Sequence, residues 1–184
     1  MPHLKKCRLP GDREVWIDRN QVVVAPVRSG DSHEDEKEER ERRIAEAFVR
    51  HLHLLPDVLT RPTDSTHDFD LVGEDGVVRL SLEVKGLTWP AIAMGRLHRS
   101  NEAVFSLPDF EGEIRKDLDK AQVQLLGAAG EEKVVLVVWS YDDGPDEGWR
   151  IWLRSRVAEI AADLNISAQV WITTPRANDF ERLR

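Results

Sequence analysis

The chain has 184 residues, 41% of them hydrophobic and 33% charged, enough for one domain with its own core and a small appendage. No apolar run approaches the about 20 residues needed to cross a bilayer, and Met1-Pro2-His3-Leu4-Lys5-Lys6 leads into polar sequence, so no membrane segment or leader is expected and a cytoplasmic location is. A net charge of −8 argues against a protein that coats nucleic acid by bulk electrostatics, and the single cysteine, Cys7, excludes a disulfide framework or a cysteine zinc cage.

The acidity is uneven: residues 1 to 30 hold six basic against three acidic side chains, and residues 31 to 50 hold eight acidic against five basic. Residues 13 to 27 predict two short strands around Arg19-Asn20, with Pro26 ending the second. This β-hairpin, in an N-terminal extension of residues 1–30, either extends the main sheet or forms a separate flap. Arg28 to His33 reads as a linker in which Asp31 or Ser32 caps the next helix. From Glu34 to Leu54 the spacing is helical: Ile44, Phe48 and Leu52, backed by Ala45 and Val49, form a stripe. Acidic residues crowd its first turns, where the helix dipole favours them. Glu41 extends the stripe one step, so it points roughly where the core points. His51 and His53 stand two apart, on different faces, and do not form the i, i+4 pair of a zinc site. Pro56 and Pro62 break the path into a polar loop, in which His67 is either a phosphate contact or, the plainer reading, an ordinary loop histidine.

Residues 67 to 86 read as two strands joined by Asp75-Gly76, a strong hairpin signal. With those two residues at the centre of the turn, Asp70 opposes Ser81 and Asp68 opposes Glu83. Alternation then puts Asp68, Asp70, Ser81, Glu83 and Lys85 on one face, and Phe69, Leu71, Leu80, Leu82 and Val84 on the other. Carboxylates held this close repel unless a cation lies between them, and hard oxygen ligands suit Mg²⁺. A lysine two residues after the second acid is placed to hold or activate water there. The plainer alternative is a solvated face of cross-strand ion pairs. The apolar character of the second strand, which implies half burial, counts against it.

Leu87 to Asp109 reads as irregular. Within it Trp89, Arg96, His98 and Arg99 combine positive charge with a ring, a combination that holds backbone phosphate and an unstacked base; a packed tryptophan beside a solvated basic loop explains them equally. Glu113 to Ala129 returns to helical spacing through Ile114, Leu118, Ala121 and Leu125, with Lys120 or Gln124 placed to reach across the sheet. Val134 to Trp139 is a strand buried on both faces, Asp142 to Pro145 a turn, and residues 149 to 153 a short strand. Val157, Ile160, Ala161 and Leu164 mark a helix, and Ala168 to Thr174 a last strand. This order predicts an α/β fold over residues 34–184, a mixed central β-sheet flanked by helices, with a small N-terminal β-hairpin.

Asp70, the thirteen positions to Glu83, and Val84-Lys85, in the setting Phe-Asp-Leu-Val-Gly and Leu-Glu-Val-Lys-Gly, resemble the PD-(D/E)XK nuclease superfamily over about residues 38 to 140. The likeness is to its Holliday-junction-resolvase-like and restriction-endonuclease-like domains. The resemblance implies a restriction-endonuclease-like fold in which Asp70, Glu83 and the Val84 carbonyl ligate Mg²⁺ or Mn²⁺ and Lys85 positions the attacking water. Asp68 competes for the role of first acid. It further implies a helix glutamate at the metal site, here Glu41 with Glu38 or Glu46 as alternates, for which a solvated charged face is the plainer reading; Arg96, Arg99 and Lys120 are the candidate substrate contacts by their charge and position. Two departures stand: Phe69 precedes Asp70 where the family name has proline, and the Gln-x-x-x-Tyr element of one branch is absent. The expected function is a metal-dependent endonuclease of DNA, with RNA open to the same chemistry and a homodimer in keeping with resolvase-like relatives. The alternative is a catalytically silent binding or assembly module of a larger DNA-processing or defence system.

Overall fold

A computed structural model of the chain describes residues 7–9, 13–18, 21–25, 34–54, 57–64, 66–87, 103–138, 147–174 and 177–184. In chain order the elements are β1 (Cys7–Leu9), β2 (Arg13–Asp18), β3 (Gln21–Ala25), α1 (Glu34–His51), β4 (Val58–Thr60), β5 (Phe69–Val72), β6 (Val78–Gly86), β7 (Ala103–Ser106), α2 (Leu107–Leu125), β8 (Glu132–Val138), α3 (Glu147–Asp163), β9 (Gln169–Thr173) and β10 (Phe180–Arg182).

Six strands form a mixed sheet in the order β10-β9-β8-β6-β5-β4. β6, β8 and β9 run parallel, and the outer pairs are antiparallel. α1 lies on one face, packing Ile44, Ala45 and Phe48 with Phe69, Leu80, Leu82 and Leu136. α2 and α3 lie on the other, packing Ile114, Leu118, Val157 and Ile160 with Val135, Val137 and Val170. β8 is therefore buried on both faces, which is why its sequence is an unbroken apolar run. The α/β class and the mixed sheet are as the sequence predicts.

The N-terminal hairpin pairs as predicted, with Asp18 opposite Gln21, and belongs to a second, antiparallel sheet in the order β1-β2-β3-β7. Its partner β7 runs directly into α2. The stretch expected to be irregular up to Asp109 thus holds a strand and the first turn of a helix. Pro108 stands in that first turn, where a missing N–H costs nothing. Residues 149 to 153, expected as a strand, lie in α3. There Leu153, Val157, Ile160 and Ala161 bury one helical stripe, and this outweighs the strand preference of the local Trp and Ile residues. Residues 58 to 60, read as loop, form β4. The proposed caps Asp31 and Ser32, the linker 28–33 and the turn 142–145 lie outside the described residues.

The central hairpin closes differently from the sequence expectation. Gly76 donates its N–H to Gly73 O at 2.9 Å and has φ +76°, so Glu74 and Asp75 are the central residues and a left-handed glycine follows as a bulge. This moves the register by one residue. A second irregularity between Leu71 and Val72 moves it back, so Val72 opposes Val78 while Leu71 opposes Leu80 and Asp70 opposes Ser81.

Gly130, just before β8, donates its N–H to Ser81 Oγ at 3.0 Å. A Cβ at this position would overlap Ser81 N and stand 2.7 Å from both Glu132 O and Ser81 Oγ. Gly130→Ala is expected to lower stability by about 1–3 kcal/mol, because the overlap is with backbone that cannot swing away. Gly112→Ala, in the interior of α2 with open space around it, is expected to raise stability by about 0.5–1 kcal/mol. Urea midpoints of the two variants, moving in opposite directions, check both.

Candidate functional site

Alternation along β6 sends Leu80, Leu82 and Val84 to the α1 face and leaves Ser81, Glu83 and Lys85 facing α2. Glu83 is only 1% exposed, so its carboxylate needs partners. It has two: Lys85 Nζ lies 2.5 Å from Oε1, and the backbone N–H of Asp68 donates to Oε2 at 3.1 Å. Asp68 answers across the same gap, its Oδ2 accepting the N–H of Val84 at 2.8 Å. Asp68 stands one residue before β5 and uses its side chain where the strand ladder ends. A residue's N–H and C=O point to the same edge of a strand, so the Val84 carbonyl lies on the Asp68 side.

Asp70 is placed differently. Its Oδ1 accepts a hydrogen bond from Ser81 Oγ at 2.6 Å and lies 2.6 Å from His67 Nε2. Ser81 is fully buried and in turn accepts the Gly130 N–H, while Thr66 Oγ1 meets His67 Nδ1 at 3.0 Å. His67, expected as an ordinary loop residue, is therefore a buried member of this network. The sequence put both aspartates on one face, and the structure separates them: Asp68 joins Glu83 and Lys85, and Asp70 joins His67 and Ser81.

Glu41 lies on the inner side of α1. Burial raises its carboxyl above the ordinary value, with a further rise from the negative charge of Asp68 and a partial offset from Lys37. Glu83 is raised in the same way, by burial first and Asp68 second, against the pull of Lys85. The alternates Glu38 and Glu46 are paired elsewhere, with Arg61 at 3.2 Å and Arg42 at 4.0 Å. Opposite Lys85, α2 contributes a polar stripe. Gln124 Oε1 accepts a hydrogen bond from Lys85 Nζ at 2.8 Å, as its placement in the sequence allowed. Asp117, two turns earlier on the same side, is raised by burial and partly stabilised by Lys85. Sequence reasoning passed over Asp117, although it precedes the apolar Leu118 as Gln124 precedes Leu125. Lys120 is exposed on α2, and Arg96 and Arg99, with Trp89 and His98, lie outside the described residues.

Among the described residues no three His, Cys, Asp or Glu side chains are gathered as a ready metal shell. Two carboxylates and a carbonyl, from Asp68, Glu83 and Val84, do share one edge, with Glu41 within electrostatic reach. That donor set fits Mg²⁺, a hard cation that keeps several waters and takes only one or two protein carboxylates. Burial is the main cause of the raised carboxyls of Glu41 and Glu83, and the negative charge of Asp68 adds to it.

Asp117 supplies a test of the burial penalty on the α2 side. Its folded-state pKa is raised, so its contribution to stability is complete below its unfolded value of about 3.9 and is lost as pH rises through the folded value. Asp117→Asn is accordingly expected to raise the melting temperature at pH 7 relative to the native chain, with a smaller gain at pH 4. A variant less stable at pH 7 would show that Lys85 depends on this carboxylate more than burial penalises it. Compared with family models, curated proteins and solved structures, the chain matches none.

Proposed function

We propose that the chain is a divalent-metal-dependent phosphodiesterase acting on DNA, with Asp68, Glu83 and the Val84 carbonyl as the metal-holding edge. The observation that carries this reading is the reciprocal pair of contacts across the end of β5 and β6, Asp68 N to Glu83 Oε2 and Val84 N to Asp68 Oδ2. It brings two acids, a carbonyl and Lys85 to one end of two paired strands. The likeness of the Glu83-Val84-Lys85 stretch to the PD-(D/E)XK superfamily adds to it. Within that likeness Asp68 takes the first acid's role, because Asp70 is engaged by His67 and Ser81.

A bound divalent cation would supply Lewis-acid stabilisation of the phosphate oxygens and a more acidic water. The chain's own residues do the rest. Glu83 holds the Lys85 ammonium, and Gln124 fixes it from α2, so the cation is aimed before substrate arrives. From there Lys85 orients water for in-line attack on phosphorus and offsets the negative charge that builds there. Glu41 adds a third carboxylate at the rim. No nucleophilic side chain is needed, so the reaction proceeds without a covalent intermediate.

A non-catalytic binding module is the second reading. One observation favours it: Lys85 is closed in by both Glu83 and Gln124. The two readings separate experimentally. With Mg²⁺ or Mn²⁺ the native chain is expected to convert plasmid or branched DNA to cut products. Asp68→Asn is expected to lose at least about a hundredfold in rate while unfolding near the native temperature, and Lys85→Ala to lose as much and to unfold at a lower temperature as well, because it strips buried Glu83 of its ammonium. Asp70→Ala is expected to lose about 1–3 kcal/mol of stability, since it strips a buried partner from Ser81 and His67. Intact DNA in every form, with no rise in melting temperature on adding Mn²⁺, would favour the binding module.

A further inference from the structure

One flank of α1 carries charge that the proposed site does not use. Arg40, Arg43, Ile44, Glu46, Ala47 and Arg50, with Ala177 from the β9–β10 connection, line an open groove of about 470 Å³. The three arginines are exposed, and none has an ion-pair partner among the described residues; Arg182 and Arg184, also without one, bond to backbone carbonyls instead. The one acid in the groove, Glu46, leans towards Arg42. Ala47 and Ala177 leave the floor low; Ala177 holds a left-handed backbone at φ 48° and packs on the α1 side of the core. In a protein of net charge −8, this groove gathers three exposed guanidiniums that form no ion pair among the described residues.

Their spacing suits a charged polymer. Arg40 to Arg50 covers about 15 Å of helix axis, the length over which each strand of a duplex presents about four phosphates. Arginine's planar fork holds phosphate oxygens in pairs. The groove also begins beside the site, since Arg40 is the chain neighbour of Glu41. We propose that this flank of α1 is a nucleic-acid backbone track, on which Arg40, Arg43 and Arg50 hold phosphates of the strand delivered to the Asp68–Glu83 edge. The choice of nucleic acid over other polyanions rests on the phosphodiesterase reading of that edge. The track positions without reading sequence, because its contacts go to phosphate alone.

The test is binding of a short labelled DNA duplex to the full chain in EDTA, where no cutting can occur, across a range of salt. Three phosphate contacts contribute about −2.7 to the slope of log K against log salt, and therefore about a 40-fold extra loss of affinity between about 50 and 200 mM salt. A combined Arg40→Ala, Arg43→Ala, Arg50→Ala variant is expected to lose that part of the slope with an unchanged melting temperature, and the matching Arg→Lys variant to keep most of it. Equal slopes for native and alanine chains would overturn the track. Competition by poly-glutamate as effective as that by unlabelled duplex at equal charge would overturn its assignment to nucleic acid. Cleavage is scored separately with Mg²⁺. Arginine-dependent binding without cutting keeps the track and removes the nuclease reading; cutting with arginine-independent binding does the reverse.

Discussion

A carboxylate on the inner strand of a sheet can stay charged only if its neighbours are arranged for it. Glu83 is in that position, with 1% of its surface exposed and β5 and β8 on either side of its strand. Removing one partner from such a pair leaves an uncompensated buried charge, a cost of several kcal/mol. Lys85 and the Asp68 N–H are therefore structural requirements of Glu83 before they are anything else. Once they are in place, the chemistry of the sheet end is largely set. An ammonium is held at a known point, a second carboxylate is tied to the same gap, and a polar stripe of α2 faces them.

Two aspartates separated by one residue end in different roles because the strand stops between them. Asp70 lies within the β5–β6 ladder, and its side chain is drawn sideways to Ser81, which sits directly opposite. Asp68 lies beyond the last laddered pair, so its side chain takes over the hydrogen bonding that the backbone gives up. Between them Phe69 is fully buried, with the guanidiniums of Arg61 and Arg42 at 5.6 and 5.9 Å from its ring centre. The aromatic ring fixes the backbone from which both acids project, so one packed side chain determines where two charged ones can go.

Much of this was legible in the residues. The i, i+4 stripe of α1, the continuous apolar run of β8 and the alternation of β5 and β6 each follow from one period, and each element formed where its period said. What escaped has physical reasons. The aromatic and branched residues at 149 to 153 carry strand preference, but packing of the whole stripe from Leu153 to Ala161 decides in favour of a helix. β4 and β10 are three-residue edge strands whose pairing comes from their neighbours, and so short a run has no period to read. In the site, pairing across the hairpin was readable and the partition of the two aspartates was not, since it depends on where the ladder ends. Gly130 meets this network through a contact 49 residues away in sequence, and His67 meets it through the neighbouring Thr66 and Asp70, a local pairing that depends on how the chain turns before β5.

The two irregularities of the central hairpin cancel, and this has a bearing on how the segment can change over generations. A one-residue slip at Gly76 is undone between Leu71 and Val72, so the pairing beyond them is insulated from the loop that closes the ribbon. Either defect alone would turn Ser81, Glu83 and Lys85 to the wrong side relative to the aspartates. An insertion or deletion in the loop is therefore tolerable only when matched by gain or loss of the neighbouring bulge. The two positions are bound to vary together, as a lock and its spacer must.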